Sequence, residues 1–350
     1  MMDDKIIPHS RPFITDSDIE AVTSALRSGQ LSQGPEVEKF ERDLAELIGN
    51  KRGAATSSGT AALHLALLAL DVKEKDEVMI PSFVCSAVLN AVNYTGATPI
   101  IVDIEPQSYN LSVDAAKRAI TKKTKVIIVP HMFGCPAEMD KFLELDIPVI
   151  EDCAQAVGAT FKGHKVGSLS KLSVFSFYAT KLLACGEGGM VLSDSEDLIL
   201  KIKDLRGYDN KDNYRLRYNY KMTDIQASLG LSQLSSLENF ITKRKEIAAR
   251  YFHEFKNCEF SLPIQKEGKE HIYYRFVIKT KDNASGYLEK FRQKGIMCLR
   301  PVYKPLHLYL NLSGFPQATE AWQKAISIPL YPSLTEEEIE KIITVSKEIF

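Results

Sequence analysis

The chain has 350 residues, 45% hydrophobic and 25% charged, with 44 basic against 45 acidic side chains. That composition is globular and excludes disorder, collagen and coiled coil, and the net charge of −1 excludes the electrostatic footprint of a nucleic-acid or anionic-membrane binder. The most apolar run, residues 61–70, is too short for a bilayer, and an acidic N-terminus with six scattered cysteines lacking CxxC or metal-ligand spacing predicts a cytoplasmic protein of about two domains.

In chain order, Ser57-Ser58-Gly59-Thr60 precedes that apolar segment and predicts a helix start, whose free N–H groups and dipole suit an anion. An ordinary N-cap is the competing reading. From residue 76 to 194, runs rich in Val and Ile alternate with helix-compatible stretches. Residues 78–83, 99–104, 125–133, 148–152, 172–177 and 190–193 predict strands; most lack strict alternation, as expected of strands buried on both faces. Residues 86–94 and 137–145 predict helices. The pattern is α/β, a mainly parallel central sheet flanked by helices, with ligands expected at the carboxyl ends of the strands. Thr223-Asp-Ile-Gln226 reads as a capping box, and Ile225, Leu229, Leu234, Leu237 and Ile241 carry helical spacing into the basic stretch 243–250, predicting one long helix. Beyond residue 258 the texture is mixed, with alternation over 271–279 and a helix over 335–349. The expected division is a large domain, 1–245, and a smaller C-terminal α+β domain, 246–350.

Candidate chemistry gathers at strand ends. Asp152 closes a buried strand, with Gln155 just beyond, and a carboxylate there needs a positive or donating partner. A helix cap or surface acid is the competing reading, and a protonated ring nitrogen of a cofactor the sharper one. Lys181 follows the aromatic strand Phe175-Ser176-Phe177 and precedes Gly186-Glu187-Gly188-Gly189. A solvated surface charge competes with a desolvated amine nucleophile at this lysine. His131 and His307 flank polar loops and read either as structural or as functional. The glycine turn opens onto a strand, not a helix, and so is not a dinucleotide fingerprint.

A phosphate cradle, an acid for a ring nitrogen and a Schiff-base lysine together answer the needs of pyridoxal phosphate. At this point the chain resembles the DegT/DnrJ/EryC1/StrS family of sugar aminotransferases, which have the fold type I, aspartate aminotransferase-like architecture. The resemblance runs nearly end to end, through Leu31-Ser-Gln-Gly-Pro-Glu-Val-Glu38, Ser58-Gly-Thr-Ala-Ala-Leu63, the nine residues from Glu151 to Ala159, and Ser176 to Lys181. It continues through Gly186-Glu-Gly-Gly189, the ten residues from Tyr218 to Ala227, and Ile328-Pro-Leu-Tyr-Pro332. It implies that Lys181 carries pyridoxal phosphate as a Schiff base, that Asp152 pairs with the pyridine nitrogen and that Gln155 contacts the ring or its 3-hydroxyl. It further implies that Gly59, Thr60 and Ser176 hold the phosphate, joined by Asn219 of the partner subunit in a homodimer with shared sites. Cys85 stands where many relatives carry a stacking aromatic, so the ring partner is expected to be Phe83 or Cys85. Glu187 and His307 are expected near the substrate. The implied activity transfers an amino group from L-glutamate to a nucleotide-linked keto-deoxysugar; Lys181 argues against the dehydratase branch, where a histidine replaces the lysine. The alternatives are a regulatory or sensory protein that binds pyridoxal phosphate without turnover, or a fold type I enzyme with another outcome, for which Cys185 is the one candidate reactive thiol. No metal, nucleic acid or membrane partner is expected.

Overall fold

The protein is described by a computed structural model covering residues 6–350. The first five strands are β1 (Arg52–Thr56), β2 (Glu77–Pro81), β3 (Thr98–Val102), β4 (Thr124–Pro130) and β5 (Val149–Asp152); two short ones follow, β6 (Thr160–Phe161) and β7 (His164–Lys165), then β8 (Leu172–Ser176) and β9 (Gly189–Ser193). The main sheet has the order β1-β9-β8-β5-β4-β2-β3. Its pairs from β3 through β2, β4 and β5 to β8 are parallel, and β9 runs antiparallel to both β8 and β1. The lack of polar alternation has a direct cause. Val78, Ile80, Val126 and Ile128 enter one core, while Met79, Ile127 and Val129 enter the other. Both faces of these strands are thus covered, by helices such as Gly59–Ala69 and Ser86–Tyr94 on one side and Pro35–Ile48 on the other.

The C-terminal part carries β10 (Phe260–Ser261), β11 (Lys269–Glu270), β12 (Phe276–Thr280) and β13 (Ala325–Ile328). An antiparallel sheet β10-β12-β13 packs with helices Ala284–Gln293 and Glu336–Ile349 around a third core, which also takes in Ile7 from the N-terminal segment. Helix Leu237–Phe255 supplies Leu237, Phe240 and Ile241 to the first core and Ile247, Tyr251 and Phe255 to the third. The boundary expected at 245 therefore falls inside this helix.

Four sequence expectations need correction. The strand expected over 125–133 ends at Pro130, and the chain then turns with Phe133 at φ 58°. The helix expected over 137–145 is only Met139–Leu143, because the Ala137 N–H donates to His131 Nδ1 (3.0 Å) instead of joining a helix start. The long helix after Thr223 is two, Asp224–Ser235 and Leu237–Phe255; Ser235 Oγ donates back to the Ser232 carbonyl (2.7 Å), a contact that bends helices. The alternating run 271–279 becomes a strand only from Phe276. Upstream, Ile272 and Arg275 donate their N–H groups to the carbonyls of Gly134 and Phe133, tying this segment to the loop after β4.

Candidate active site

The cradle begins where β1 turns into a helix. Ser58 is the N-cap of Gly59–Ala69, its Oγ accepting the Ala61 N–H (3.1 Å) and its carbonyl accepting the Ala62 N–H. Gly59 and Thr60 are the first two residues of the helix, whose N–H groups have no intrahelical acceptor. In the sheet Gly189 opposes both Thr56 and Ser176, which brings Ser176 beside this turn. The space is too tight for side chains. A Cβ on Gly59 would lie 2.8 Å from Ser176 Cβ, and one on Gly189 would lie 2.4 Å from the Ser58 carbonyl oxygen. Gly59, Thr60 and Ser176, expected together, are brought together.

Asp152 and Glu151 end β5 on opposite faces. The Asp152 carboxylate accepts the Ala154 N–H at 3.0 Å. Burial raises its pKa, opposed by that N–H and by the positive charge of Lys181, and the net shift is upward. A buried carboxylate with one backbone donor is short of partners, which is the state a protonated ring nitrogen relieves. Gln155 Oε1 accepts the N–H of Phe133 (2.9 Å), so this amide fixes the left-handed turn after β4. Behind the site, Glu151 accepts N–H groups from Gly167, Leu169 and Ser170 at 2.8 to 2.9 Å and meets His131 Nε2 at 3.2 Å. Burial favours the neutral acid, but the hydrogen bond from His131 and the backbone donors outweigh it and hold Glu151 below its ordinary range. Because His131 Nδ1 accepts from Ala137, its Nε2 carries the proton toward Glu151. His131, Glu151 and Cys153 have donor atoms within 4.8 Å of one another, but the first two are saturated by these bonds and serve as a brace under β5.

Lys181 sits in the loop between β8 and β9, closed by the Phe177 N–H to Gly188, Ala179 to Gly186 and Cys185 to Phe177. Gly186 takes φ 81°, which favours glycine there. The lysine is half-buried, and its Nζ lies 5.4 Å from the centre of the Tyr274 ring. Tyr274 was not foreseen; it comes from the segment before β12 with no motif of its own. Burial alone would raise its phenol, but the charges of Lys181 and Arg275, a hydrogen bond with Thr180 and the charge of Arg244 outweigh this and bring it down to about 8.

The remaining expected residues separate. Phe83 is wholly buried, its ring packed near Tyr109 and Phe133 at 5.8 and 6.4 Å, whereas Cys85 is exposed at the start of Ser86–Tyr94. Of the two stacking candidates only Cys85 is accessible. His307, expected at the substrate, is buried with both nitrogens engaged: Nδ1 with Ser82 Oγ (2.6 Å) and Nε2 with Thr319 Oγ1 (3.1 Å), the ring stacked on Phe315. That geometry corrects it to a tie between the loop after β2 and helix Pro316–Lys324. Glu187 is exposed at the glycine turn, whose carbonyl accepts from Gln226 Nε2 (3.0 Å). Asn219 is exposed between Tyr218 and Tyr220, which stack on each other with centroids 5.0 Å apart and pack on His64, so the asparagine points away from its own core. Cys185 lies in the first core with its thiol pushed well up by burial, opposite to a reactive thiolate on a mobile loop.

Backbone donors in a cradle that a Cβ would fill, an under-partnered carboxylate and an amine on the adjoining loop fit pyridoxal phosphate in kind and in place. Fold and site thus define a fold type I architecture. The model of the DegT/DnrJ/EryC1/StrS aminotransferase family matches residues 12–346, and the chain belongs to that family. It is 36% identical to GDP-perosamine synthase of Escherichia coli O157:H7 over 96% of each chain, and 32% identical to the spore coat polysaccharide biosynthesis protein SpsC of Bacillus subtilis over 98% of this chain and 97% of that one. The PLP form of the sugar aminotransferase Spr1654 of Streptococcus pneumoniae superposes with TM-score 0.92 at 29% identity, covering 99% of this chain and 100% of that one. Among the described residues no helix is long and apolar enough to cross a membrane.

Proposed function

We propose that the protein is a pyridoxal phosphate-dependent aminotransferase that passes an amino group from L-glutamate to a nucleotide-linked keto-deoxysugar. The observation that carries the reading is the convergence of Lys181, the under-partnered Asp152 carboxylate and the Gly59–Ser176 cradle at one end of the sheet. Names of two relatives, a GDP-perosamine synthase and a polysaccharide biosynthesis protein, support the acceptor class.

Pyridoxal phosphate supplies an aldehyde for amine exchange and a ring that accepts electrons from the donor Cα. The N–H groups of Gly59 and Thr60 and the Ser176 hydroxyl bind its phosphate. Asp152 holds the proton on the ring nitrogen, and its burial strengthens that pairing. Gln155, fixed by the Phe133 N–H, would contact the ring or its 3-hydroxyl, and the exposed Cys85 would stand where many relatives carry the stacking aromatic. Lys181 would hold the cofactor through its amine and, once freed, would take the donor Cα proton as base and deliver it as acid to the cofactor's C4′ carbon. Glu187 borders the acceptor at the cleft mouth. The working unit is a homodimer in which Asn219 of the partner subunit completes the phosphate site.

The test is spectroscopic. L-Glutamate alone should bleach the visible band of the loaded protein and yield 2-oxoglutarate, and one of a panel of UDP-, GDP- and dTDP-linked ketosugars should restore it with formation of the aminosugar. A band that no amino acid changes points to the non-catalytic reading.

A further inference from the structure

A buried histidine beside the cradle takes no part in the proposed chemistry. His64 lies four residues beyond Thr60 on helix Gly59–Ala69, so it sits one turn below the cradle on the same face. It is 2% exposed, and burial pulls its pKa down to about 4, so the ring is neutral at neutral pH and is no ligand for a phosphate. Tyr94, Tyr218 and Tyr220 surround it edge to face, with ring centres at 5.5, 4.9 and 6.0 Å. An imidazole costs more to bury than an apolar ring unless its nitrogens are used. Nε2 has no partner among the described residues, and Nδ1 meets Tyr220 Oη at 3.4 Å. Whatever the ring's polarity contributes, it contributes at Tyr220, the residue next to Asn219.

The backbone continues the link. Tyr218 and Tyr220 donate their N–H groups to the carbonyls of Leu205 (2.8 Å) and Arg206 (2.9 Å), their rings stack, and the Tyr220 carbonyl accepts the Ser57 N–H (2.7 Å) just ahead of the cradle. The segment is clamped on both sides of residue 219, while the asparagine itself is exposed. We propose that His64 is a positioning residue for the partner subunit's cofactor: it sets the Tyr218–Tyr220 pair, and through that pair the direction in which Asn219 reaches the phosphate bound by the partner. The inference rests on the reading of Asn219 as shared between subunits. One helix then serves two sites, its first turn holding the phosphate of its own subunit and His64 steadying the arm lent to the other.

Mixed dimers of the full chain test it. One chain carries Lys181→Ala and the other keeps Lys181, so a single site per dimer can give the visible cofactor band, and that site takes its asparagine from the Lys181→Ala chain. Binding of pyridoxal phosphate is titrated by this band in dimers isolated with two tags. Asn219→Ala on the lending chain should weaken binding about 10-fold, the loss of one hydrogen bond to a charged group. His64→Leu on the lending chain should weaken it about 3- to 10-fold, and on the other chain less than about 2-fold; His64→Asn, which keeps a polar atom where Nδ1 stands, should recover part of the loss. A His64→Leu loss that is equal on the two chains, larger on the chain with Lys181, or absent from both overturns the proposal. Should His64→Leu fail to assemble, Tyr220→Phe, which removes only the hydroxyl, decides by the same comparison. If Asn219→Ala has no effect from the lending chain, the shared-site reading falls and the proposal with it; if Asn219 acts across the interface and His64 does not, the proposal alone falls.

Discussion

Asp152 shows how one side chain can be read from sequence and still need the structure to explain it. An acid at the end of an apolar run is visible in Val149-Ile-Glu-Asp152, but that Glu151 turns to the brace and Asp152 to the cleft follows from strand alternation once the strand's register is known. Asp152→Asn should keep stoichiometric pyridoxal phosphate, since the cradle holds the phosphate, yet lose about 10²-fold or more in turnover because a charge-paired catalytic interaction is gone. Near-normal turnover would make Asp152 structural. A second prediction concerns acid stability. His271 stacks on Tyr273 (4.2 Å), accepts the Tyr273 N–H at Nδ1 (2.8 Å), and is pulled by burial from 6.5 to about 3. Such a histidine stays neutral when folded while the unfolded chain takes up its proton, so its stabilisation is complete above pH 6.5 and is lost as pH falls toward about 3. Calorimetric Tm should fall between pH 7.5 and 5, and by less in His271→Gln; an unchanged pH dependence contradicts the assignment.

Among the elements, the capping box at Thr223 was legible because its signal is four contiguous residues, and the structure shows both of its hydrogen bonds. What Asp224 does was not legible. Helix Pro35–Ile48 starts at Gly34, which has no side chain to cap it, and Asp224 supplies the cap from another helix by accepting the N–H groups of Gly34 (2.8 Å), Glu36 (3.4 Å) and Val37 (3.1 Å). A partner so distant along the chain leaves no local pattern. Thr223→Ala should cost about 1 kcal/mol in denaturant unfolding. Asp224→Ala, which strips three helix-start donors at once, that of Val37 buried, should cost about 2–3 kcal/mol; a smaller loss than at Thr223 would show that the borrowed cap is idle. The same logic separates the sheet from the segment before β12. The strands of the large sheet announce themselves by runs of Val and Ile, whereas residues 272–275 alternate like a strand yet spend their hydrogen bonds on the turn at Phe133 and Gly134.

Across the whole molecule, the site is an encounter between parts remote in sequence: the β1 turn, the ends of β5 and β8, and the segment carrying Tyr274 and Arg275. Motifs revealed the first three. The last has no motif, and only its packing on Lys181 exposes it. Assembly belongs to this scale too. Asn219, held outward by Tyr218 and Tyr220, is proposed to serve the partner's site. Co-expressing Lys181→Ala with Asn219→Ala should give mixed dimers with one intact site and about half the wild-type activity per dimer, whereas a residue serving its own subunit would leave both sites damaged and restore nothing. The central claim, that Lys181 transfers an amino group between two substrates, is tested most directly with ¹⁵N-labelled L-glutamate and the ketosugar panel, read by mass spectrometry of the sugar product. The account predicts one ¹⁵N per aminosugar from the wild type and none from Lys181→Ala; an unlabelled sugar from the wild type, or label delivered equally by Lys181→Ala, would contradict it.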